Sequence, residues 1–175
     1  ELDSFASEVE WLSLVLVDYP NPDGWQLTQG DAFESPSFDL MAKRSNVILC
    51  NPPFALFTEE ERARYSKSHA LTSPHKPAEV LARVLENPPM LVGFVLPRIF
   101  VDGRGYRPLR EKLNNLYDDV QVVTLPYKVF RHSDAEAALL IASGRTNSPS
   151  VHLTCSGVYD RDLVSFKDTG KVSYQ

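Results

Sequence analysis

Apolar runs of strand length, alternating with amphipathic segments, mark this 175-residue chain as an α/β protein with a largely parallel sheet. Two runs carry the reading. Residues 46–50, Asn46-Val47-Ile48-Leu49-Cys50, form a short continuous apolar stretch of the kind expected of a strand buried on both faces. Residues 90–96, Met90-Leu91-Val92-Gly93-Phe94-Val95-Leu96, are the most hydrophobic part of the chain and suit a central strand. A segment with helical spacing lies between them, which gives the strand–helix–strand unit that parallel pairing requires. Composition agrees: 43% of residues are hydrophobic and 23% charged, as in globular proteins, and no apolar run nears the roughly 18 residues of a membrane-crossing helix. Two cysteines, Cys50 and Cys155, are too few for a disulfide framework or a four-ligand metal site. The net charge of −5 does not suit a protein that holds nucleic acid by charge alone.

The remaining elements follow in order. Asp3 is placed to cap a helix in which Phe5, Val9, Leu12 and Leu16 share one face, and the turn-forming residues 18–24 stop it. Trp25-Gln26-Leu27-Thr28 alternates like a short strand ending at Gly30-Asp31, and a connecting stretch leads on to residue 46. Asn51-Pro52-Pro53-Phe54 ends the strand at 46–50. Thr58 and Glu61 have the spacing of a capping box for a polar helix. Residues 65–76 read as an exposed, mobile loop. Pro77 starts a helix carrying Val80, Leu81, Val84 and Leu85, and Leu109, Leu113 and Leu116 mark another. Strands are expected at 120–125 and 137–142. From Gly144 onward, Val151-His152-Leu153 and Leu163-Val164-Ser165-Phe166 read as short β pieces without helices, so 1–143 is expected to be a catalytic core and 144–175 a β-rich extension or the start of a different unit.

The residues with most chemical content are Asn51, Pro52, Pro53 and Phe54, at the carboxyl end of a strand, where open α/β sheets bind ligands. Proline has no N–H and a fixed φ, which holds the backbone rigid and leaves carbonyl oxygens unpaired. With the Asn51 side-chain carbonyl these make an array of acceptors suited to both hydrogens of an NH₂ group. Accepting both draws an aromatic amine from planarity and frees its lone pair, and Phe54 offers a flat face on which a base can stack. Taken alone, the tetrad is equally a strand-ending turn. Upstream, Gly30-Asp31-Ala32-Phe33 places a carboxylate and a ring at another expected strand end; the alternative is an Asp that merely caps a turn. Glu1 lies where an acid in a nucleotide-binding sheet grips ribose hydroxyls, or it is a surface acid, while Asp3 is read as the helix cap.

Taken in this order, the three sites resemble the S-adenosylmethionine-dependent adenine-N6 DNA methyltransferases of restriction-modification systems. Met90 to Pro97 followed by Arg98-Ile99-Phe100 is similar to that family's fifth strand, and Val129-Phe130 with 137–142 is similar to its final hairpin. The resemblance covers residues 1–143. It implies a Rossmann-like methyltransferase fold, mostly parallel with a C-terminal antiparallel hairpin, and S-adenosyl-L-methionine as cofactor. It implies that Glu1, Asp31, Ala32 and Phe33 bind the cofactor and that the target adenine is flipped out of duplex DNA. Asn51 and the Pro52 carbonyl then accept the amino hydrogens, Phe54 and Phe130 stack on the two faces of the base, and no metal is needed. A bacterial, cytoplasmic restriction-modification setting is implied with it. Rival readings are a methyltransferase acting on protein glutamine or RNA, and a truncated, non-catalytic domain.

Other features are weaker. Cys50 is read as a core residue, and Gly103-Arg104-Gly105 as a turn, because the third glycine of a nucleotide loop would fall at Pro108. His69, His75, His132 and His152 lack metal-ligand spacing. Arg62, Arg64, Lys67 and Lys76 either meet DNA phosphates or form a solvated face. The family's glycine-rich cofactor loop has no counterpart in these residues, and the first strand is expected to be missing. The chain is therefore expected to be an internal piece, lacking an upstream cofactor-loop segment and a downstream target-recognition domain, and inactive alone.

Overall fold

A computed structural model of the chain describes residues 3–19, 27–67, 70–127, 129–130, 134–146 and 153–172. It divides into two compact units, Glu1–Met41 and Ala42–Gln175. The expected boundary at 143/144 does not coincide with this division.

In the first unit, helix α1 (Ser4–Val17) begins as its cap predicts: Asp3 Oδ1 accepts the Ala6 N–H at 2.9 Å. Its apolar face is Phe5, Val9, Leu12 and Leu16, all exposed. Leu27 and Thr28 are not in a strand, contrary to the alternation; Trp25 and Gln26 lie outside the described residues. Gly30 has a φ of 146°, a conformation closed to other residues, and the chain turns there instead of leaving a strand. Helix α2 (Pro36–Arg44) replaces the expected connecting stretch. Its signals are local: Ser35 Oγ accepts the Ser37 N–H, Pro36 stands at the first position, Asp39 lies in the first turn, and Lys43 and Arg44 in the last.

The second unit is a five-stranded sheet in the order β1-β2-β4-β3-β5, with β1 (Val47–Cys50), β2 (Leu91–Pro97), β3 (Tyr117–Thr124), β4 (Ala137–Arg145) and β5 (Leu153–Gly157). β1 and β2 are parallel, as are β3 and β5; β4 runs antiparallel to both its neighbours. Four strands thus share one direction and the β3–β4 hairpin reverses it, as the resemblance implies. Helices α3 (Glu59–Tyr65) and α4 (Lys76–Val84) connect β1 to β2, and α5 (Arg107–Leu116) leads into β3.

One face of the sheet carries the core. Val92, Phe94 and Leu96 of β2, Val120 and Val122 of β3, and Leu140 and Ala142 of β4 are buried, with α4 packed on β2 and α5 on β3. Val80, Leu81, Val84, Leu109 and Leu113 point into this layer, each worth about 1.5–3 kcal/mol when buried. The other face is open among the described residues: Val47 is 55%, Leu49 76% and Ile141 40% exposed. The expectation that the first strand is buried on both faces is therefore wrong here; an unbroken apolar run reports that both faces are apolar, not that both are covered.

The tail also departs from its reading. β5 joins the same sheet, pairing with β3, so it does not start a separate sheet. Leu163-Val164-Ser165-Phe166 opens helix α6 (Leu163–Thr169), which Gly170 closes at φ 66° with its N–H on the Phe166 carbonyl. Four residues of alternation are too few to fix a period.

Candidate active site

β1 ends beside Phe94, three residues before the end of β2, and the tetrad follows β1 directly. Pro52 and Pro53 cannot donate to a sheet ladder, so pairing stops at Cys50↔Phe94. Asn51 is exposed, Pro52 buried, Pro53 exposed and Phe54 half-buried. The expectation of unpaired proline carbonyls needs one correction: the Pro53 oxygen accepts the Ala55 N–H at 2.9 Å. Among the described residues, the Asn51 side chain and the Pro52 carbonyl take part in no hydrogen bond. These are the two acceptors that the amine-gripping reading calls on.

The chain after the tetrad is clamped rather than loose. The Lys76 N–H donates to the Ala55 carbonyl and the Phe57 N–H to the Pro74 carbonyl, both at 2.9 Å, around an antiparallel bridge between Leu56 and His75. The capping box forms as expected: Thr58 Oγ1 accepts the Glu61 N–H, and Glu61 Oε2 accepts the Thr58 N–H. Lys76 Nζ donates to Glu61 Oε1 at 2.7 Å, and with the Thr58 N–H it holds the Glu61 carboxyl below the usual carboxylate range.

Residues 65–76 are largely exposed or half-buried, as their polarity predicts, but they are tied to their surroundings rather than free; Ser68 and His69 lie outside the described residues. Tyr65 is buried edge-on against Phe57. Glu79 of α4, fully buried, accepts at one oxygen from the Thr72 N–H (2.8 Å), the Thr72 hydroxyl (2.8 Å) and the Ser73 N–H (3.0 Å). A buried carboxyl is tolerated when hydrogen-bonded in this way, and it ties the polar stretch to α4. The basic residues here are partly committed: Arg62 Nε to the Phe57 carbonyl, Arg64 to the Tyr65 hydroxyl, and Lys76 to Glu61.

Two cavities flank the tetrad. One, of about 710 Å³, lies at the carboxyl ends of β1 and β2 and is lined by Phe54, Ala55 and Leu56, by His75, by Pro97, Arg98 and Ile99, and by Asp102, Tyr106 and Glu136 among others. The other, of about 430 Å³, lies over the open sheet face and is lined by Leu49, Cys50 and Asn51, with Gly93 and Val95 of β2 and Leu139 and Ile141 of β4. Phe130 is 38% exposed and lines neither cavity. Gly103 shapes the rim of the first: a Cβ there would lie 2.5 Å from the Ile99 carbonyl oxygen, and Arg110 ties the Phe100 and Gly103 carbonyls together. Gly103-Arg104-Gly105, read as a turn, opens a single turn of 3-10 helix over Arg104–Tyr106, with the Tyr106 N–H on the Gly103 carbonyl.

In the first unit, Asp31 Oδ1 accepts the Phe33 N–H at 2.9 Å, and the Asp31 carbonyl accepts from Glu34 and Ser35. The residue caps a turn, the alternative weighed for it, and this turn carries Ala32 and Phe33. Glu1 lies outside the described residues. Burial pushes the Cys50 thiol up to about 11, consistent with a core residue rather than a nucleophile. Among the described residues no cluster of His, Cys, Asp and Glu could hold a metal ion, and no helix is long and apolar enough to cross a membrane.

No protein-family model and no curated protein matches the sequence. Solved structures do match the fold. The type I restriction-modification methyltransferase subunit from Streptococcus thermophilus superposes with a TM-score of 0.61 at 13% identity, over 99% of this chain and 42% of that one. The chain shares the fold of part of that methyltransferase subunit. The EcoKI M protein of a type I restriction enzyme gives 0.58 at 16% identity, over 89% of this chain and 32% of that one. A DrdV–DNA complex gives 0.70 at 13% identity, over all of this chain and 23% of that one. The chain therefore spans less than half the length of each of these proteins. Within this methyltransferase fold, His75, Arg98, Tyr106 and Glu136, to which the sequence assigns no role in the site, gather around Phe54. No spacing pattern marks them, because they come from four separate segments.

Proposed function

We propose that this chain carries the catalytic part of a DNA methyltransferase of a restriction-modification system, transferring a methyl group from S-adenosyl-L-methionine to the exocyclic N6 of adenine. The observation that carries the reading is the placement of Asn51 and Pro52, two acceptors with no hydrogen bond among the described residues, at the end of β1 in a methyltransferase fold. A ring amine needs both its hydrogens held for its lone pair to turn toward an electrophile. The Asn51 side-chain oxygen and the Pro52 carbonyl oxygen accept one each. Phe54 stacks on the ring of the base and Phe130 closes on its other face when the base enters. S-adenosyl-L-methionine, when bound, supplies a methyl group on a sulfonium.

The residues proposed toward that cofactor are the carboxyl groups of Asp31 and Glu1 as acceptors and the half-buried ring of Phe33 as a stacking face, with Ala32 between Asp31 and Phe33. Acceptors and a stacking face of this kind fit an adenosine group. Rate comes chiefly from holding the two reactants in line, since neither metal nor covalent intermediate is called on. DNA is the proposed partner, the target adenine leaving the stack to reach the site.

The test is to incubate the whole protein with duplex DNA and a cofactor labelled in its methyl group, then digest to nucleosides. Label in N6-methyldeoxyadenosine is the expected result; label confined to cytosine, RNA or protein overturns the reading.

A further inference from the structure

We infer that His75 is a specificity-determining contact of the same site, its imidazole N–H donating to a ring nitrogen of the base whose amino group meets Asn51 and Pro52. The inference rests on the proposed function, and deepens it by naming what reads the edge of the base. His75 lines the cavity that Phe54 lines and is half-buried, whereas Arg98, Asp102 and Glu136, the charged lining residues, are exposed at its rim.

Its position is fixed from several sides. The bridge to Leu56 ties it to the strand end, the His75 N–H donates to Ser73 Oγ at 3.1 Å, and Glu79 anchors Thr72 and Ser73. The Tyr106 ring backs the imidazole at 5.7 Å between centroids and 37° between planes, and Tyr106 itself rests edge-on against Phe100. Among the described residues the imidazole makes no hydrogen bond, and although it stands at the start of α4 it does not cap that helix. A polar ring held this firmly, facing a cavity and committed to nothing, is suited to a ligand rather than to the fold.

Tyr106 adds a second, independent sign. Its hydroxyl is buried with no hydrogen-bond partner among the described residues, and burial raises its pKa. A phenylalanine would fill the same space without leaving a buried hydroxyl unpaired. Tyr106 acts as a positioning residue behind His75. The group read is a ring nitrogen that can only accept, of the kind that flanks the amino group of the adenine of the proposed function, and an imidazole N–H can donate to it.

The experiment uses the whole protein and duplexes carrying adenine, 1-deazaadenine, 3-deazaadenine or 7-deazaadenine at the target position. The wild-type protein is expected to lose about ten- to a hundredfold in kcat/KM on one analogue. His75→Leu is expected to lose a similar factor on adenine and to stop distinguishing adenine from that analogue, while His75→Gln, which keeps a donor, recovers part of the loss. Equal wild-type rates on adenine and all three analogues overturn the inference without any variant. So does a His75→Leu protein that keeps both its rate and its discrimination. A wild-type protein that transfers no methyl group to adenine overturns the proposed function itself, which separates the two failures.

Discussion

Asn51 and Phe54, only three residues apart, line different cavities: Asn51 faces the one over the open sheet face, Phe54 the one at the strand ends. Residues 51 and 54 are an odd number of positions apart, so even an extended chain sends their side chains to opposite faces, and the Ala55 N–H on the Pro53 carbonyl adds a tight turn centred on Phe54. On the proposed function the two side chains act on different parts of a bound base, one on its amino group and one on its ring.

Truncation at Phe54 should separate these roles. Phe54→Ala is expected to raise the KM for DNA more than it lowers kcat, since base stacking on an aromatic ring contributes about 1–3 kcal/mol. Steady-state kinetics on the whole protein check this; a fall in kcat with KM unchanged would show that Phe54 does not hold the base.

Glu79 is the point on which the segment after α3 turns. Glu79→Ala leaves the Thr72 and Ser73 donors without their acceptor and is expected to cost about 2–4 kcal/mol of stability. Denaturant unfolding measures the loss, and proteolysis should cut residues 66–75 in the variant before any other segment.

Much of the framework was legible in the sequence, and the reasons differ by element. Capping chemistry placed the starts of α1 and α3 because a single side chain supplies the missing acceptor within three residues. Apolar periodicity placed α4, α5, β2 and the β3–β4 hairpin because those segments bury one continuous face. It failed where the partner is distant. The polarity of 65–76 says nothing of Glu79, whose buried carboxylate fixes it. The exposure of Leu49 depends on what covers a sheet face, not on Leu49. The tetrad itself was legible as a motif, while His75 and Tyr106 became visible only once the fold brought them beside Phe54.

Stability should fall on the alkaline side. Burial raises the Cys50 thiol from 9.0 to about 11 and the Tyr117 hydroxyl from 10.0 to about 12. Below pH 9 both groups are neutral, folded or unfolded, and their contribution is complete. As the pH rises past those ordinary values the unfolded chain ionises first, so stability drains away until the folded groups ionise as well. Thermal unfolding between pH 8 and 12 should show Tm declining from about pH 9 upward. Tyr117→Phe should flatten the upper part of that decline, from a starting point lowered by about 1 kcal/mol for the lost hydrogen bond to the Pro89 carbonyl.

The most direct test is Asn51→Ala in the whole protein, assayed for methyl transfer to adenine in duplex DNA alongside the affinity for S-adenosyl-L-methionine. Loss of N6-methyladenine formation by a thousandfold or so, with cofactor binding nearly unchanged, is the predicted result for a group that acts only as the amine is attacked. Turnover equal to that of the unaltered protein would contradict the account, because the acceptor at the end of β1 would then have no part in the reaction.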